Sequence, residues 1–185
     1  MTAALDDLLE GFRLRAEPLG ARVARAESPA AAVPFLAELA ASWNATEAVV
    51  TEAVAASGLA DALAAAGLNL RAAGTPEEAR DAPLGVSAGE LALAETGSVL
   101  LAESSLEDRA IGMLAAGHLM VVPTGALVPG LGEAAPALRA AALRPGGGYA
   151  TLVTGPSRTA DIERVLTVGV QGPVRVAVLF LDSLD

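Results

Sequence analysis

Short apolar runs that alternate with helical stretches constrain the fold of this chain more than any other feature. The runs occupy residues 84–87, 98–102, 119–122, 149–153 and 174–181. Apolar runs of this length, bounded by Gly and Pro, are typical of strands that are buried on both faces of a sheet. Because helical patterns separate several of them, the alternation predicts an α/β domain with a mostly parallel sheet of at least five strands, flanked by helices.

The first 80 residues are mainly helical in pattern. Apolar residues recur at helical spacing over 2–15, 30–42 and 59–66, and strand-like segments occupy 47–54 and 68–71. We therefore expect a single domain over residues 1–185, in which a helical N-terminal part (1–45) packs on a sheet-containing core (46–185).

A loop of small residues follows the run 149–153 and precedes a segment, 159–166, that can form a helix. A strand, a small-residue loop and a helix start leave backbone N–H groups that can bind an anion. An arginine in the loop can hold a carboxylate or phosphate by two hydrogen bonds. The alternative is structural: the hydroxyls cap the helix and the arginine pairs with a nearby acid. The residues that we expect to bind a small carboxylate or phosphate are Gly155, Ser157, Arg158 and Thr159.

The segment 91–102 predicts a β-hairpin with its turn at Thr96 and Gly97. Glu95 stands beside this turn, and a carboxylate that a turn exposes can act as a base or a nucleophile. The alternative is a hairpin turn in which Glu95 is a solvated or a structural residue. We expect Glu95, Thr96 and Gly97 to lie near the 155–159 loop, at the carboxyl edge of the sheet where ligands gather in open α/β folds.

The balance of charge excludes several classes of partner. The chain has 22 acidic and 12 basic residues, a net charge of −10, and every cation is an arginine. This disfavours nucleic-acid binding, which needs clustered positive charge. The uncharged stretch 110–132 is broken by Gly and Pro, so it predicts short elements and loops rather than a membrane span. We expect a cytoplasmic protein with no membrane insertion.

Residue types that are absent restrict the chemistry further. The chain has no Cys, no Lys and one His, His118. It therefore has no thiolate nucleophile, no Schiff-base lysine and no cysteine-ligated cluster, and it cannot build a multi-histidine metal site. We expect no metal and no cofactor in this chain. His118 begins an apolar run, which favours a strand residue over a member of a Ser-His-Asp triad.

Two segments in this order resemble the signatures of the lactate utilization protein C family, whose members have a LUD domain. The first covers residues 85–101 and includes Glu95-Thr96-Gly97-Ser98. The second covers residues 154–182, and Arg109 and residues 118–123 stand between the two at the expected spacing.

The resemblance implies a fold like that of sugar-phosphate isomerases and CoA-transferase subunits. It also implies a component of a system that oxidises L-lactate to pyruvate. The component would be accessory, with the iron–sulfur centres in partner subunits. The alternative is an enzyme of the CoA-transferase or sugar-phosphate isomerase kind that acts on a small anionic metabolite, with Glu95 as its catalytic group.

The chain departs from the family pattern at two positions. The family usually has His where this chain has Gln171, and often a second His where this chain has Ala177. Gln171 can still donate a hydrogen bond to a ligand, but it cannot exchange protons at neutral pH.

Overall fold

The computed structural model describes residues 2–103, 105–144, 149–159, 167–168 and 172–184. Within these residues the helices are α1 (Thr2–Ala16), α2 (Pro29–Trp43), α3 (Glu52–Ala55), α4 (Leu59–Ala65), α5 (Leu106–Leu114) and α6 (Leu131–Ala142). Short 3₁₀ helices occupy Glu17–Leu19, Pro76–Ala79 and Thr124–Ala126. The strands are β1 (Ala21–Ala26), β2 (Glu47–Val50), β3 (Asn69–Ala72), β4 (Gly85–Ala88), β5 (Leu91–Leu93), β6 (Ser98–Leu101), β7 (Gly117–Pro123), β8 (Leu127–Val128), β9 (Thr151–Val153), β10 (Arg158–Thr159), β11 (Thr167–Val168) and β12 (Arg175–Leu181).

The main sheet has six strands in the order β1-β12-β7-β4-β2-β3, and every neighbouring pair is parallel. This confirms the predicted α/β architecture with a mostly parallel sheet flanked by helices. The last strand, β12, lies between β1 and β7, so Val178 is opposite Val23 on one side and Met120 on the other. Residues from the two ends of the chain therefore share one core.

Each face of this sheet is covered by its own apolar layer. Leu119 and Val121 of β7 point to one face, where α2 and α4 pack over them. Met120 and Val122 point to the other, where α1 and strand β6 pack. Fully burying one such side chain stabilises the fold by about 1.5–3 kcal/mol. The pattern explains why β7 and β12 are apolar at consecutive positions.

A smaller sheet, ordered β8-β5-β6-β9, packs on the second face. The antiparallel pairing of β5 with β6 confirms the predicted hairpin. Strand β9 differs from expectation, because it pairs antiparallel with β6 and does not enter the main sheet. Its middle residue, Leu152, is exposed, so the run is an edge strand rather than one buried on both faces.

Residues 1–45 are not only helical, because they also contribute β1 to the main sheet. The sequence of β1, Ala-Arg-Val-Ala-Arg-Ala, is poor in the residues that favour strands. It forms a strand because β12 supplies a hydrogen-bonding partner over six residues. Arg25 then pairs with Asp182, just beyond β12, at 2.8 Å.

Among the described residues, no helix has both the length and the apolar character needed to cross a bilayer.

A substitution at Gly117 tests the close packing at the start of β7. A methyl group there would lie 2.6 Å from Trp43 Cε3 and 3.0 Å from the carbonyl oxygen of Pro83, so Trp43 would have to move. We expect Gly117→Ala to lower the free energy of unfolding by about 1–3 kcal/mol, as overpacking does. Gly125→Ala is the matched control, because no neighbouring atom lies within 4 Å of its added methyl. Equal effects of the two substitutions in denaturant unfolding would contradict this packing.

Candidate functional site

Hydroxyl groups connect the hairpin turn to the loop after β9. Thr96 Oγ1 lies 2.7 Å from Ser98 Oγ, which lies 2.6 Å from Thr154 Oγ1. The contact follows from strand pairing, since Val99 of β6 is opposite Val153 of β9. The two segments singled out in the sequence therefore lie side by side at this point.

The helix predicted over 159–166 is wrong at its first residue. Arg158 and Thr159 form β10, which pairs antiparallel with β11; residues 160–166 lie outside the described part of the chain. Gly155 has a φ of +66°, and the Ser157 N–H donates to the carbonyl oxygen of Pro173 at 2.9 Å. The turn and this hydrogen bond direct the chain into an extended strand, so the anion site cannot rest on a helix start at Thr159.

The guanidinium of Arg158 donates a hydrogen bond to the carbonyl oxygen of Leu19. The side chain is exposed. Leu19 ends the short helix that precedes β1, and a methyl group on Gly155 would lie 3.1 Å from its Cβ. Arg158 thus ties the loop to the N-terminal region. Binding of a ligand by Gly155, Ser157, Arg158 and Thr159 stays a prediction.

Both segments lie at the amino edge of the main sheet, not at the carboxyl edge as expected. The loop contacts Pro173, just before β12, and Leu19, just before β1. The hairpin turn contacts the end of α1, where a methyl group on Gly97 would lie 2.7 Å from the backbone nitrogen of Ala16. The expectation failed because β9 belongs to the smaller sheet, so its end does not mark the carboxyl edge of the parallel strands.

Glu95 lies exposed at the hairpin turn. Its N–H donates to the carbonyl oxygen of Pro129 at 2.9 Å. Its carboxylate faces Gly130, because a methyl group there would lie 2.5 Å from Glu95 Oε2. The position leaves the carboxylate accessible. Its catalytic role stays a prediction, as does ligand contact by Thr96 and Gly97.

A cleft of about 750 Å³ opens at the amino edge, beneath the loop after β9. Arg80 and Asp81 supply its charged side chains, and Gly155 and Ser157 belong to its wall. Gln171 lies outside the described residues, although its neighbour Gly172 is part of the lining. Arg80 was not predicted as a site residue from the sequence, because it stands in a loop with no recognisable motif. The apolar part of the described wall comes from Met113, Leu114, Val153, Val174 and Val176.

His118 is a buried strand residue and not part of a nucleophilic triad. It lies in β7 with no exposed surface, and its Nε2 is 3.0 Å from Ser87 Oγ. Burial lowers the pKa of His118 to about 4, so the ring is neutral near pH 7. Ser87 also has no exposed surface, so it cannot attack a substrate.

A second cleft, of about 400 Å³, lies at the carboxyl edge of β2 and β4, and it was not predicted from the sequence. Thr51 and Glu52 directly follow β2, and Glu90 follows β4. Glu103 and Asp108 reach the cleft from the segment between β6 and α5. The usable signal was the set of acids after strand ends, because ligands gather at the carboxyl edge of parallel sheets.

Among the acids that line this cleft, Glu103 has the most strongly shifted pKa. Burial raises the pKa of Glu103 to about 7, and the nearby Asp108 charge adds to the rise. A hydrogen bond with Ser87 and the charge of Arg109 oppose it. Because Ser87 also contacts His118, one hydroxyl joins the cleft acid to the buried imidazole.

Two other acids of the cleft, Asp108 and Glu90, are held by neighbours. Asp108 Oδ1 accepts the Glu52 N–H at 3.2 Å, and burial raises the pKa of Asp108. Glu90 pairs with Arg144 at 2.6 Å, and Arg144 also donates to the carbonyl oxygen of Ala102. The acids are therefore positioned by contacts rather than simply projecting into solvent.

The raised pKa of Glu103 predicts a pH-dependent stability. The folded state holds this proton more tightly than the unfolded state, so the contribution is fully present below pH 4.5 and is lost as the pH rises through about 7. Glu103→Gln mimics the neutral form. We expect the variant to match wild type near pH 4 and to exceed it by about 2–3 kcal/mol near pH 8.

Denaturant unfolding of both proteins across this pH range measures the difference. Glu10→Gln, on the exposed side of α1, is the control for replacing a surface carboxylate by an amide. A Glu103→Gln difference that is constant with pH would contradict the assignment.

The model of the LUD domain family matches residues 9–181 of this chain. Lactate utilization protein C 1 of Bacillus mycoides (strain KBAB4) is 35% identical over 109 residues, which are 57% of this chain and 46% of that protein. Lactate utilization protein C of Bacillus subtilis (strain 168) is 33% identical over 112 residues, 58% of this chain and 45% of that protein. The alignments thus span a little under half of these curated relatives.

A solved structure agrees with the fold. The crystal structure of a DUF162 family protein from Deinococcus radiodurans matches with a TM-score of 0.67 at 22% identity, over 96% of this chain and 98% of that one. This likeness concerns the fold alone. The family match extends over nearly all of the residues whose architecture is described above, and the chain belongs to the LUD domain family.

Proposed function

We propose that this chain serves in lactate utilization as an accessory component without a redox centre of its own, and that it binds a small 2-hydroxy acid in the amino-edge cleft. The observation that carries the proposal is that Arg80, Asp81 and an apolar wall line the same cleft. The role in lactate utilization is inferred from the relatives named lactate utilization protein C.

The cleft has a partner for each part of lactate. The guanidinium of Arg80 can hold the carboxylate by two hydrogen bonds. The carboxylate of Asp81 can accept a hydrogen bond from the 2-hydroxyl group. Val153 and Val176 offer apolar contact for the methyl group.

Backbone carbonyls at the end of α5 do not oppose an anion strongly. The carbonyl oxygen of Leu114 accepts the Asp81 N–H at 3.0 Å, and that of Ala116 accepts the Val174 N–H at 3.0 Å. These hydrogen bonds use carbonyl groups that would otherwise face the cleft at the negative end of the helix. Arg80 is then the principal charge available to a carboxylate there.

Oxidation of lactate to pyruvate releases two electrons and two protons. This chain has no Cys with which to hold an iron–sulfur cluster. In the proposed role the electrons pass to iron–sulfur partner subunits, and this chain binds the hydroxy acid.

Arg80→Ala tests the proposed site. Loss of one charged interaction should weaken L-lactate binding by about 1.5–3 kcal/mol, which is about 10- to 150-fold. Isothermal titration calorimetry measures this, and propionate, which lacks the hydroxyl group, should bind more weakly than L-lactate to wild type. Arg139→Ala, an exposed change on α6, is the matched control. Equal affinity of wild type and Arg80→Ala for L-lactate would place the binding elsewhere.

A second candidate function is an enzyme of the CoA-transferase or sugar-phosphate isomerase kind. The observation that favours it is the exposed Glu95 carboxylate beside the glycine turn. In a CoA transfer, this carboxylate would attack an acyl thioester, form a mixed anhydride and release CoA as the thiolate. In an isomerisation it would instead move a proton as a base.

Glu95→Gln separates the two functions, because it keeps the shape and removes the charge. If Glu95 is the nucleophile or base, turnover of acyl-CoA or sugar phosphate should be abolished while ligand binding persists. If the chain is accessory, lactate oxidation by the assembled system should be unchanged within about twofold, the scale of a change that costs under 0.5 kcal/mol. Glu10→Gln is the control for both assays.

A further inference from the structure

We propose that the carboxyl-edge cleft is a second ligand site, independent of the lactate site, and that it binds a small organic molecule carrying an ammonium group and a hydroxyl group. The geometry behind this proposal is a buried hydroxyl without a hydrogen-bond partner among the described residues, in a cleft lined by four acidic side chains at the end of two parallel strands.

Thr51 is the first observation. The residue is 2% exposed, it lines the cleft, and its Oγ1 has no hydrogen-bond partner among the described residues. Thr51 precedes α3, yet its hydroxyl does not cap that helix. A buried hydroxyl that forgoes every hydrogen bond lowers stability, so its retention fits a partner that arrives with a ligand.

The carboxylates are the second observation. Glu52, Glu90, Glu103 and Asp108 all line the cleft. Glu103 Oε1 is also buried and has no hydrogen-bond partner among the described residues. Two acceptors without donors, Thr51 Oγ1 and Glu103 Oε1, thus belong to the same small cleft, and a ligand bearing N–H and O–H groups can satisfy both.

The remaining charges around Glu103 leave the cleft negative. Arg144 is engaged by Glu90 and by the carbonyl oxygen of Ala102. The Nε of Arg109 donates to the carbonyl oxygen of Glu103 at 3.1 Å, and its guanidinium stacks on Tyr149 at 4.6 Å. His118, reached through Ser87, is neutral. An anion would meet carboxylates on several sides, whereas an ammonium group would be attracted.

A metal ion fits this cleft less well than an organic cation. Among the residues that the structure describes, no group of three or more acidic or histidine side chains is arranged to hold a metal ion. The acids are spread around about 400 Å³, a space that suits a molecule of several heavy atoms.

Three probes of matched size test the charge: 4-amino-1-butanol, 1,4-butanediol and 4-hydroxybutyrate. Each has a hydroxyl group at one end of a four-carbon chain; the other end is a cationic ammonium group, a second, neutral hydroxyl group and an anionic carboxylate, respectively. In ¹⁵N NMR titrations of the full chain, we expect the amine alone to shift the amides of Thr51, Glu52 and Glu90 in a saturable way. Saturable binding of the anion there, equal responses to all three probes, or no response to the amine would overturn the proposal.

Thr51→Val distinguishes a ligand hydroxyl from a structural one. We expect its melting temperature without probe to stay level or rise by about 2–4 °C, because an orphaned buried hydroxyl has been removed. We expect its affinity for 4-amino-1-butanol to fall about five- to tenfold. Thr46→Val, at an exposed threonine before β2, is the matched control and should leave the affinity unchanged.

Glu103→Gln gives a second readout, with an expected loss of at least fivefold in amine affinity. Unchanged amine affinity in both Thr51→Val and Glu103→Gln would overturn the proposal. So would a fall in the melting temperature of Thr51→Val without probe, since the hydroxyl would then serve the fold.

Discussion

The structure depends most on the insertion of β12 between β1 and β7. The side chains from Val176 to Leu181 are at most 1% exposed, and they complete the apolar layers on both faces of the sheet. Phe180 of β12 meets Phe12 of α1 edge to face, with ring centroids 5.1 Å apart. Without β12, β1 would lose its only strand partner in the main sheet as described, and α1 would lose much of its packing surface. The N-terminal third is therefore held by the last strand of the chain.

Close approach at two glycines sets how α5 packs on the main sheet. A methyl group on Gly85 would lie 2.7 Å from Ile111 Cγ2, and one on Gly112 would lie 2.9 Å from His118 Cε1. These glycines let α5 lie directly against β4 and β7. The segment that precedes α5 then holds Glu103 against Ser87, above the buried imidazole. A shift of α5 by a methyl group would move this segment relative to Ser87 and so change the hydrogen-bonded chain from Glu103 to His118.

Several strands and helices could be predicted from the local sequence pattern alone. The apolar runs of β7 and β12, the hairpin of β5 and β6 and the helices α1, α2 and α4 all follow from periodicity and turn residues. Strand β1 was not predictable in this way, because its alanines and arginines become a strand only through pairing with β12. The edge at which the loop after β9 lies was also beyond local pattern, since it depends on which sheet β9 joins. The carboxyl-edge cleft was missed for a related reason: its acids come from three separate segments, after β2, after β4 and between β6 and α5, that only the tertiary fold brings together.

The two edges of the main sheet differ in chemistry. The amino edge combines Arg80 with an apolar wall, and the carboxyl edge presents carboxylates and an orphaned hydroxyl. A ¹⁵N NMR titration of the full chain with L-lactate tests the proposed binding of lactate at the amino edge. We expect saturable shifts of the amides of Asp81, Gly155 and Ser157, with those of Thr51 and Glu52 unmoved. Shifts confined to the carboxyl edge or to the 95–97 turn, or no shifts at millimolar lactate, would contradict binding at the amino edge.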